Sequence, residues 1–124
     1  MSRLIPTLQT TVVVIRTQRL VQCLDRATVI APKTQEIQFF VDDTQLVVFT
    51  ESADYGKSTD VLVAESVAGD RAELRVNGRN VLEALRTCTS EEVVLQFTGK
   101  NRPLVLLPKN GTDLVHVISP IVSR

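Results

Sequence analysis

Apolar residues along this chain follow two periods, and the periods succeed one another in the same order twice. The run Thr11–Arg16 (TVVVIR) is β-branched and predicts a strand. Leu20, Val21, Leu24 and Ala27 then recur at helical spacing. They predict a helix capped by Thr17, reaching about Ile30 and stopped by Pro32. Three strands are expected next, at Glu36–Val41, Gln45–Glu51 and Ser58–Ser66, with a tight turn at Asp42-Asp43-Thr44 and a looser loop over Ser52 to Lys57. Ala68-Gly69-Asp70 marks a seam, and the order then repeats. Ala72–Val76 reads as a strand, Asn77 as a cap, and Val81, Leu85 and Cys88 as the inward stripe of a second helix. Strands are expected again at Glu92–Phe97, Pro103–Leu107 and Asp113–Ile118, joined at Gly99-Lys100-Asn101 and at the hairpin dipeptide Asn110-Gly111. A β-α-β-β-β unit thus fills residues 11–66 and again residues 71–119. The expected fold class is α+β, a single domain over residues 1–124 with both helices on one face of the sheet.

The bulk composition fits a water-soluble globular chain: 44% hydrophobic and 23% charged residues, with Lys+Arg and Asp+Glu both at 14. Net charge therefore makes no case for a polyanionic partner, but its distribution does. Residues 1–31 carry Arg3, Arg16, Arg19 and Arg26 against Asp25 alone. Residues 36–65 carry Glu36, Asp42, Asp43, Glu51, Asp54, Asp60 and Glu65 against Lys57 alone. Basic helices over an acidic strand region give a domain with two electrostatic sides. In the first helix Arg19 and Arg26 stand seven residues apart on the face away from the apolar stripe, and Arg79 and Arg86 do the same in the second. A solvated helix face also carries arginine, and Glu83 is spaced to pair with Arg79 and with Arg86. Where these arginines meet DNA they meet phosphates, because aromatic side chains are nearly absent from both helices; such contact is independent of sequence and sensitive to salt.

Candidate chemistry elsewhere is thin. Gly56-Lys57-Ser58 resembles the end of a phosphate-binding loop, but Glu51 stands where that loop needs a further glycine, and a strand follows instead of a helix. Asn110-Gly111-Thr112 forms a glycosylation sequon that a hairpin turn explains. His116 is the only histidine and has no neighbouring Cys or His, so no metal site and no metal cofactor is expected. The acid pairs Asp42-Asp43 and Glu91-Glu92 sit at turns or strand starts without an acid–base partner arrangement. No nucleophile can be matched with a base, and the reading is against an enzyme. Cys23 and Cys88 lie in separate helices with no CxxC, and are read as buried reduced thiols. No apolar run approaches the length of a membrane span, no signal-peptide core opens the chain, and a cytoplasmic location is expected.

One family gathers these features. The stretch Val76-Asn77-Gly78-Arg79-Asn80-Val81-Leu82-Glu83-Ala84-Leu85 resembles the second-helix segment of the C-terminal domain of the bacterial DNA polymerase III β subunit, the sliding clamp. So do the strand Glu91–Thr98 and the closing Val117-Ile118-Ser119-Pro120-Ile121, while Arg3-Leu4-Ile5-Pro6 resembles the linker that leads into that domain. The resemblance implies the DNA-clamp fold, a duplicated β-α-β-β-β unit of which six close a ring with helices lining the hole. It implies no catalysis and no cofactor: such a clamp encircles double-stranded DNA and tethers DNA polymerase, raising local concentration. Arg16, Arg19, Arg26, Arg79 and Arg86 would face DNA. Partners would be DNA polymerase, the clamp loader and other proteins with clamp-binding peptides, together with other clamp domains or copies of this chain. The client-peptide pocket would draw on Arg3, Leu4, Asn77, Asn80, Val117, Ile118, Ser119, Pro120 and Ile121, with Leu4, Val117 and Ile118 as apolar wall and Arg3 and the asparagines as polar rim. Three departures stand out. Ser119 replaces the usual methionine, Val122-Ser123-Arg124 replaces a basic residue and leucine, and the chain holds the counterpart of only the last of three clamp domains. The alternative is a stand-alone interaction module that binds a clamp, a loader or another partner through its sheet edges without encircling DNA.

Overall fold

The β-branched run forms β1 (Thr11–Arg16), and its alternation decides its faces: Thr11, Val13 and Ile15 are buried. α1 (Thr17–Ile30) follows without a break, burying Leu20, Cys23, Leu24 and Ala27. Then come β2 (Glu36–Val41), β3 (Gln45–Ser52), β4 (Gly56–Val63) and β5 (Ser66–Ala68). The second half runs β6 (Ala72–Asn77), α2 (Gly78–Arg86), β7 (Glu92–Phe97), β8 (Leu104–Pro108) and β9 (His116–Ile118). These elements belong to a computed structural model that describes residues 11–30, 36–52, 56–88, 90–99, 102–109 and 115–121. The expected Pro32 stop, most of the Gly99-Lys100-Asn101 connection and the Asn110-Gly111 turn lie outside the described residues.

The strands divide into two antiparallel sheets, five-stranded in the order β5-β1-β7-β8-β9 and four-stranded in the order β4-β3-β2-β6. Each half therefore lends its first strand to the sheet built by the other. The registers match residue for residue: Thr11↔Phe97 through Arg16↔Glu92 in one sheet, Val41↔Ala72 through Glu36↔Asn77 in the other. Thr11 thus corresponds to Ala72, Arg16 to Asn77 and Glu92 to Glu36, which is an internal two-fold relation. The chain's two exits obey it as well. After β4 the Glu65 N–H donates to the Val14 carbonyl at 2.7 Å; after β9 the Ile121 N–H donates at 2.8 Å to the carbonyl of Arg75, the counterpart of Val14.

Two local expectations are corrected. The strand expected over Ser58–Ser66 is two strands in different sheets, because Ala64 and Glu65 turn the chain away, donating to the Thr44 and Val14 carbonyls. Thr17 is the first helical residue of α1 and does not act as its cap: its hydroxyl donates to the Ser90 carbonyl at 3.0 Å, and its N–H to the Glu91 carbonyl at 2.9 Å. Asn77 caps α2 as its sequence position predicts, its side-chain oxygen accepting from the Arg79 and Asn80 N–H groups at 2.9 and 3.2 Å.

One core joins both sheets and both helices. Phe39 of the four-stranded sheet meets Phe97 of the five-stranded sheet edge to face, with ring centroids 6.1 Å apart. The corresponding positions hold Leu95 and Val41, so the large side chain that each sheet contributes here is replaced by a smaller one at its equivalent place in the other sheet. Gly56 opens β4 at φ +90°, in the left-handed region that a side chain would strain.

Candidate nucleic-acid interface

α1 and α2 pack against each other, and their outward sides carry the five arginines singled out in the sequence or lie next to them. All five are exposed. Four of them lie against carboxylates. Arg16 Nε is 3.6 Å from Glu65 Oε2, Arg26 Nη2 is 3.3 Å from Asp60 Oδ1, and Arg79 Nε is 3.3 Å from Glu83 Oε2. Arg86 Nη2 is 3.5 Å from Asp25 Oδ1, so it reaches across to α1 and not to Glu83, which its spacing had also allowed. Arg19 has no ion pair among the described residues. The pairs are largely exposed, so each holds its arginine weakly, by about 0–1 kcal/mol. Set against Glu65, Asp60, Glu83 and Asp25, the five arginines leave a surplus of a single positive charge, located at Arg19.

The two-fold relation also changes what the paired arginines mean. Thr17 corresponds to Gly78, so Arg19 and Arg26 fall opposite Asn80 and Thr87, while Arg79 and Arg86 fall opposite Gln18 and Asp25. The seven-residue spacing recurs, but at different places on the two helices. Asp25 and Arg86 occupy equivalent places, and their ion pair ties the helices together across the axis. A second equivalence lies at the flanks: Arg26 of α1 reaches Asp60 of β4, and at the matching places Thr87, just past α2, meets His116 of β9, with Oγ1 and Nε2 2.8 Å apart. Thr87 spends its hydroxyl proton on the Ala84 carbonyl at 2.7 Å, so His116 Nε2 is the donor to Thr87.

The residues assigned to a peptide pocket divide by their surroundings. Arg3 and Leu4 lie outside the described residues. Val117 is 64% exposed whereas Ile118 is 6% exposed, because neighbouring residues of β9 point to opposite faces. Ile118 therefore belongs to the core and cannot share one wall with Val117. Pro120 bridges to Val76, and Ile121 is held to the Arg75 carbonyl, which brings the tail beside the start of α2. Ser119 and Asn80 are exposed there, while the Asn77 side-chain oxygen is committed to the helix cap.

The edges of the two sheets were under-read in the sequence. β4 and β9 close the far sides of the sheets and correspond under the two-fold relation. Val61 and Val63 of β4 are 54% and 67% exposed, and Val117 of β9 is similarly open. The alternation Val61-Leu62-Val63 was the available signal: a strand with apolar residues on both faces has something to cover on each.

Neither thiol is placed for chemistry. Cys23 is fully buried and its Sγ donates to Asp60 Oδ2 at 3.5 Å; burial first, then the Asp60 carboxylate, push its pKa up to about 12, with Arg26 pulling the other way. Burial also raises the Cys88 thiol. Both are free cysteines. Among the described residues no three potential metal ligands gather, and no helix is long and apolar enough to cross a membrane.

Residues 2–122 match the family model for the C-terminal domain of the DNA polymerase III beta subunit. The beta sliding clamp of Halalkalibacterium halodurans is 29% identical over 110 residues, covering 86% of this chain and 29% of that protein. That of Bacillus subtilis is 24% identical over 121 residues, covering 95% of this chain and 32% of the relative. The crystal structure of the Bacillus subtilis sliding clamp superposes with a TM-score of 0.87 at 23% identity, over 97% of this chain and 32% of that one. A Thermotoga maritima DNA polymerase III beta subunit gives 0.87 at 20% identity, over 98% and 33%. The chain thus spans under a third of the length of these two curated relatives. With the two-helix, two-sheet fold and the family match in agreement, this chain belongs to the family formed by the C-terminal domain of the DNA polymerase III beta subunit.

Proposed function

We propose that this chain acts as a non-catalytic segment of a DNA sliding clamp in replication, in the cytoplasm, contributing to processivity. α1 and α2 face double-stranded DNA and meet its phosphates without reading sequence. The edges β4 and β9 join neighbouring clamp domains or further copies of the chain. The tail face of Asn80, Val117, Ser119, Pro120 and Ile121 takes peptides from DNA polymerase, the clamp loader or other clients. The observation that carries this reading is the pair of open, valine-bearing strands at equivalent places on either side of a helix layer bearing arginines. Such a unit can be extended from both ends while its helices stay on one side, which is the requirement for a ring.

Solution mass by light scattering over a concentration series tests the edges. The reading predicts a discrete closed multimer of about six copies, since heterologous contacts that close give rings of fixed size. A strict monomer at every concentration removes self-assembly, and with it encirclement by this chain alone.

One observation favours the second reading, an interaction module that docks on a clamp, a loader or another partner. Four of the five helix arginines already have carboxylate neighbours, which leaves little free positive charge for phosphate. Partner binding without any measurable affinity for duplex DNA would establish it.

A further inference from the structure

We propose that a cleft of about 630 Å³ between the two sheets docks a peptide segment of a partner protein presenting one bulky apolar side chain beside lysine or arginine. Its size lies within the roughly 300–1,000 Å³ range in which pockets hold ligands of this size. Its position separates it from both surfaces described above. Thr11 and Ala72, the equivalent first residues of β1 and β6, line it, whereas the other ends of those strands lead directly into α1 and α2. The cleft therefore lies on the two-fold relation at the strand ends remote from the helix starts. A partner seated there leaves the helix N-termini and the tail face beside α2 uncovered.

Its walls are apolar. Phe40 and Val47 pair across β2 and β3 on the outer face, and Phe97 and Val41 close the floor from the strand ends. Phe40 keeps 36% of its surface open, a large aromatic group left without a complete cover. Its rim is acidic. Among the lining residues Asp42, Asp70 and Glu73 stand against Arg71, whose Nε sits 3.5 Å from Asp42 Oδ1. The Arg102 side chain lies beside Gly99 at one end, which leaves a net excess of one carboxylate. The Gln38 amide donates to Glu73 at 3.3 Å, leaving the charge of that carboxylate uncompensated, and Asp70 makes no ion pair among the described residues. An acidic rim repels phosphate, which argues against nucleic acid here and for a cationic segment. The apolar floor supplies a seat for a side chain, and the rim sets which flanking charges are accepted.

The test is a nitrogen–proton NMR titration of the full chain with an acetylated, amidated Lys-Ala-Phe-Arg peptide, with Glu-Ala-Phe-Glu as its control. Saturable shifts concentrated at Phe40, Val47, Ala72 and Gly99 with the basic peptide alone are expected. Reversing the rim with Asp70→Lys and Glu73→Lys weakens that binding at least about tenfold, because rim charges set which partner is accepted. Phe40→Ala, a surface change that leaves the core intact, weakens it without altering charge. Equal response to both peptides, or shifts spread over the remaining acids, overturns the proposal. So do cleft resonances that move with protein concentration alone, which would seat a second copy there, or that move only when residues 1–10 are removed, which would seat the chain's own leading segment. None of these outcomes bears on the helix face, so failure here and failure of the clamp reading are told apart.

Discussion

On its outer face the five-stranded sheet presents Val12 and Val14 of β1, Val94 of β7, Val105 and Leu107 of β8 and Val117 of β9, with Gln96, Ser66 and the facing pair Arg16 and Glu92 as polar positions. At the matching places the four-stranded sheet presents Glu73 and Arg75 for the first two valines, Gln38 for Val94 and Phe40 for Gln96. Val47, Phe49 and Val61 stand for Val105, Leu107 and Val117, so the two outer faces diverge at β1, β6, β2 and β7 and agree toward the far edges. The four-stranded sheet also carries the pairs Arg75–Glu36 at 2.9 Å and Lys57–Glu51 at 4.0 Å. The inner faces do not diverge in this way. Val13, Ile15, Val93, Leu95, Leu104 and Leu106 answer Leu74, Val76, Ile37, Phe39, Leu46 and Val48, aliphatic or aromatic in every case. The fold thus constrains register and the buried face in both halves, and leaves the outer face of β1, β6, β2 and β7 to whatever each half meets. The acidic side expected from composition is met only in part: Glu36 and Glu51 stand on the outer face of the four-stranded sheet, each beside a cation, whereas Asp60 and Glu65 reach Arg26 and Arg16.

The most severe way to break the comparison is through the shared core. Phe39→Ala is expected to cost about 3–5 kcal/mol and Leu95→Ala, its counterpart, about 2–5 kcal/mol. Urea unfolding should show one transition lowered by either change, because a single core joins the sheets. Two separate transitions would mean that the sheets are independent bodies.

The next contrast is between the thiols, Cys23 within α1 and Cys88 just past the end of α2, outside the helix expected to hold it. At pH 8 iodoacetamide should modify Cys88 well before Cys23, whose thiol is fully buried and held protonated toward a pKa of about 12. The sign of the linkage follows. Because folding raises this pKa from 9.0, its contribution to stability is whole below about pH 9 and is lost as pH rises toward 12. A Cys23→Ala chain should lack that alkaline loss; an unchanged alkaline decline would assign it to other groups.

A smaller effect separates the helix starts. Asn77→Ala should cost about 1 kcal/mol by removing the cap of α2. Chemical denaturation of this variant checks the value, and hydrogen exchange should show the loss at Arg79 and Asn80, whose N–H groups the cap receives. The smallest effect is the cross-axis tie. A double-mutant cycle on Asp25 and Arg86 should give a coupling of about 0.2–1 kcal/mol, diminished by salt, as for other exposed pairs.

How much of this was legible in the sequence depends on the range of the interaction. Elements set by local periodicity were readable: both helices, the cap at Asn77 and the strands Glu36–Val41 and Glu92–Phe97 stand where the pattern places them. The division into two sheets was not, since β1 finds β7 and β6 finds β2 through pairings that no local signal specifies. The same holds for the break between β4 and β5, imposed by hydrogen bonds to Thr44 and Val14, and for Thr17, whose buried hydroxyl serves Ser90. In the candidate site spacing singled out Arg19, Arg26, Arg79 and Arg86 as outward-facing, but the carboxylates beside Arg16 and Arg26 were hidden, because Asp60 and Glu65 arrive from distant parts of the chain. Ile118 shows the reverse limit: a motif carried it into a pocket wall, while the two-residue period of its own strand turns it into the core.

The helix side of this chain is proposed to meet duplex DNA through its phosphates. The most direct test is fluorescence anisotropy of a labelled duplex with the full chain over a salt series, repeated with Arg19→Glu. Weak association is expected that falls as salt rises and is disproportionately weakened by Arg19→Glu, because that arginine carries the uncompensated charge. Association unaffected by salt and by Arg19→Glu would contradict the proposal.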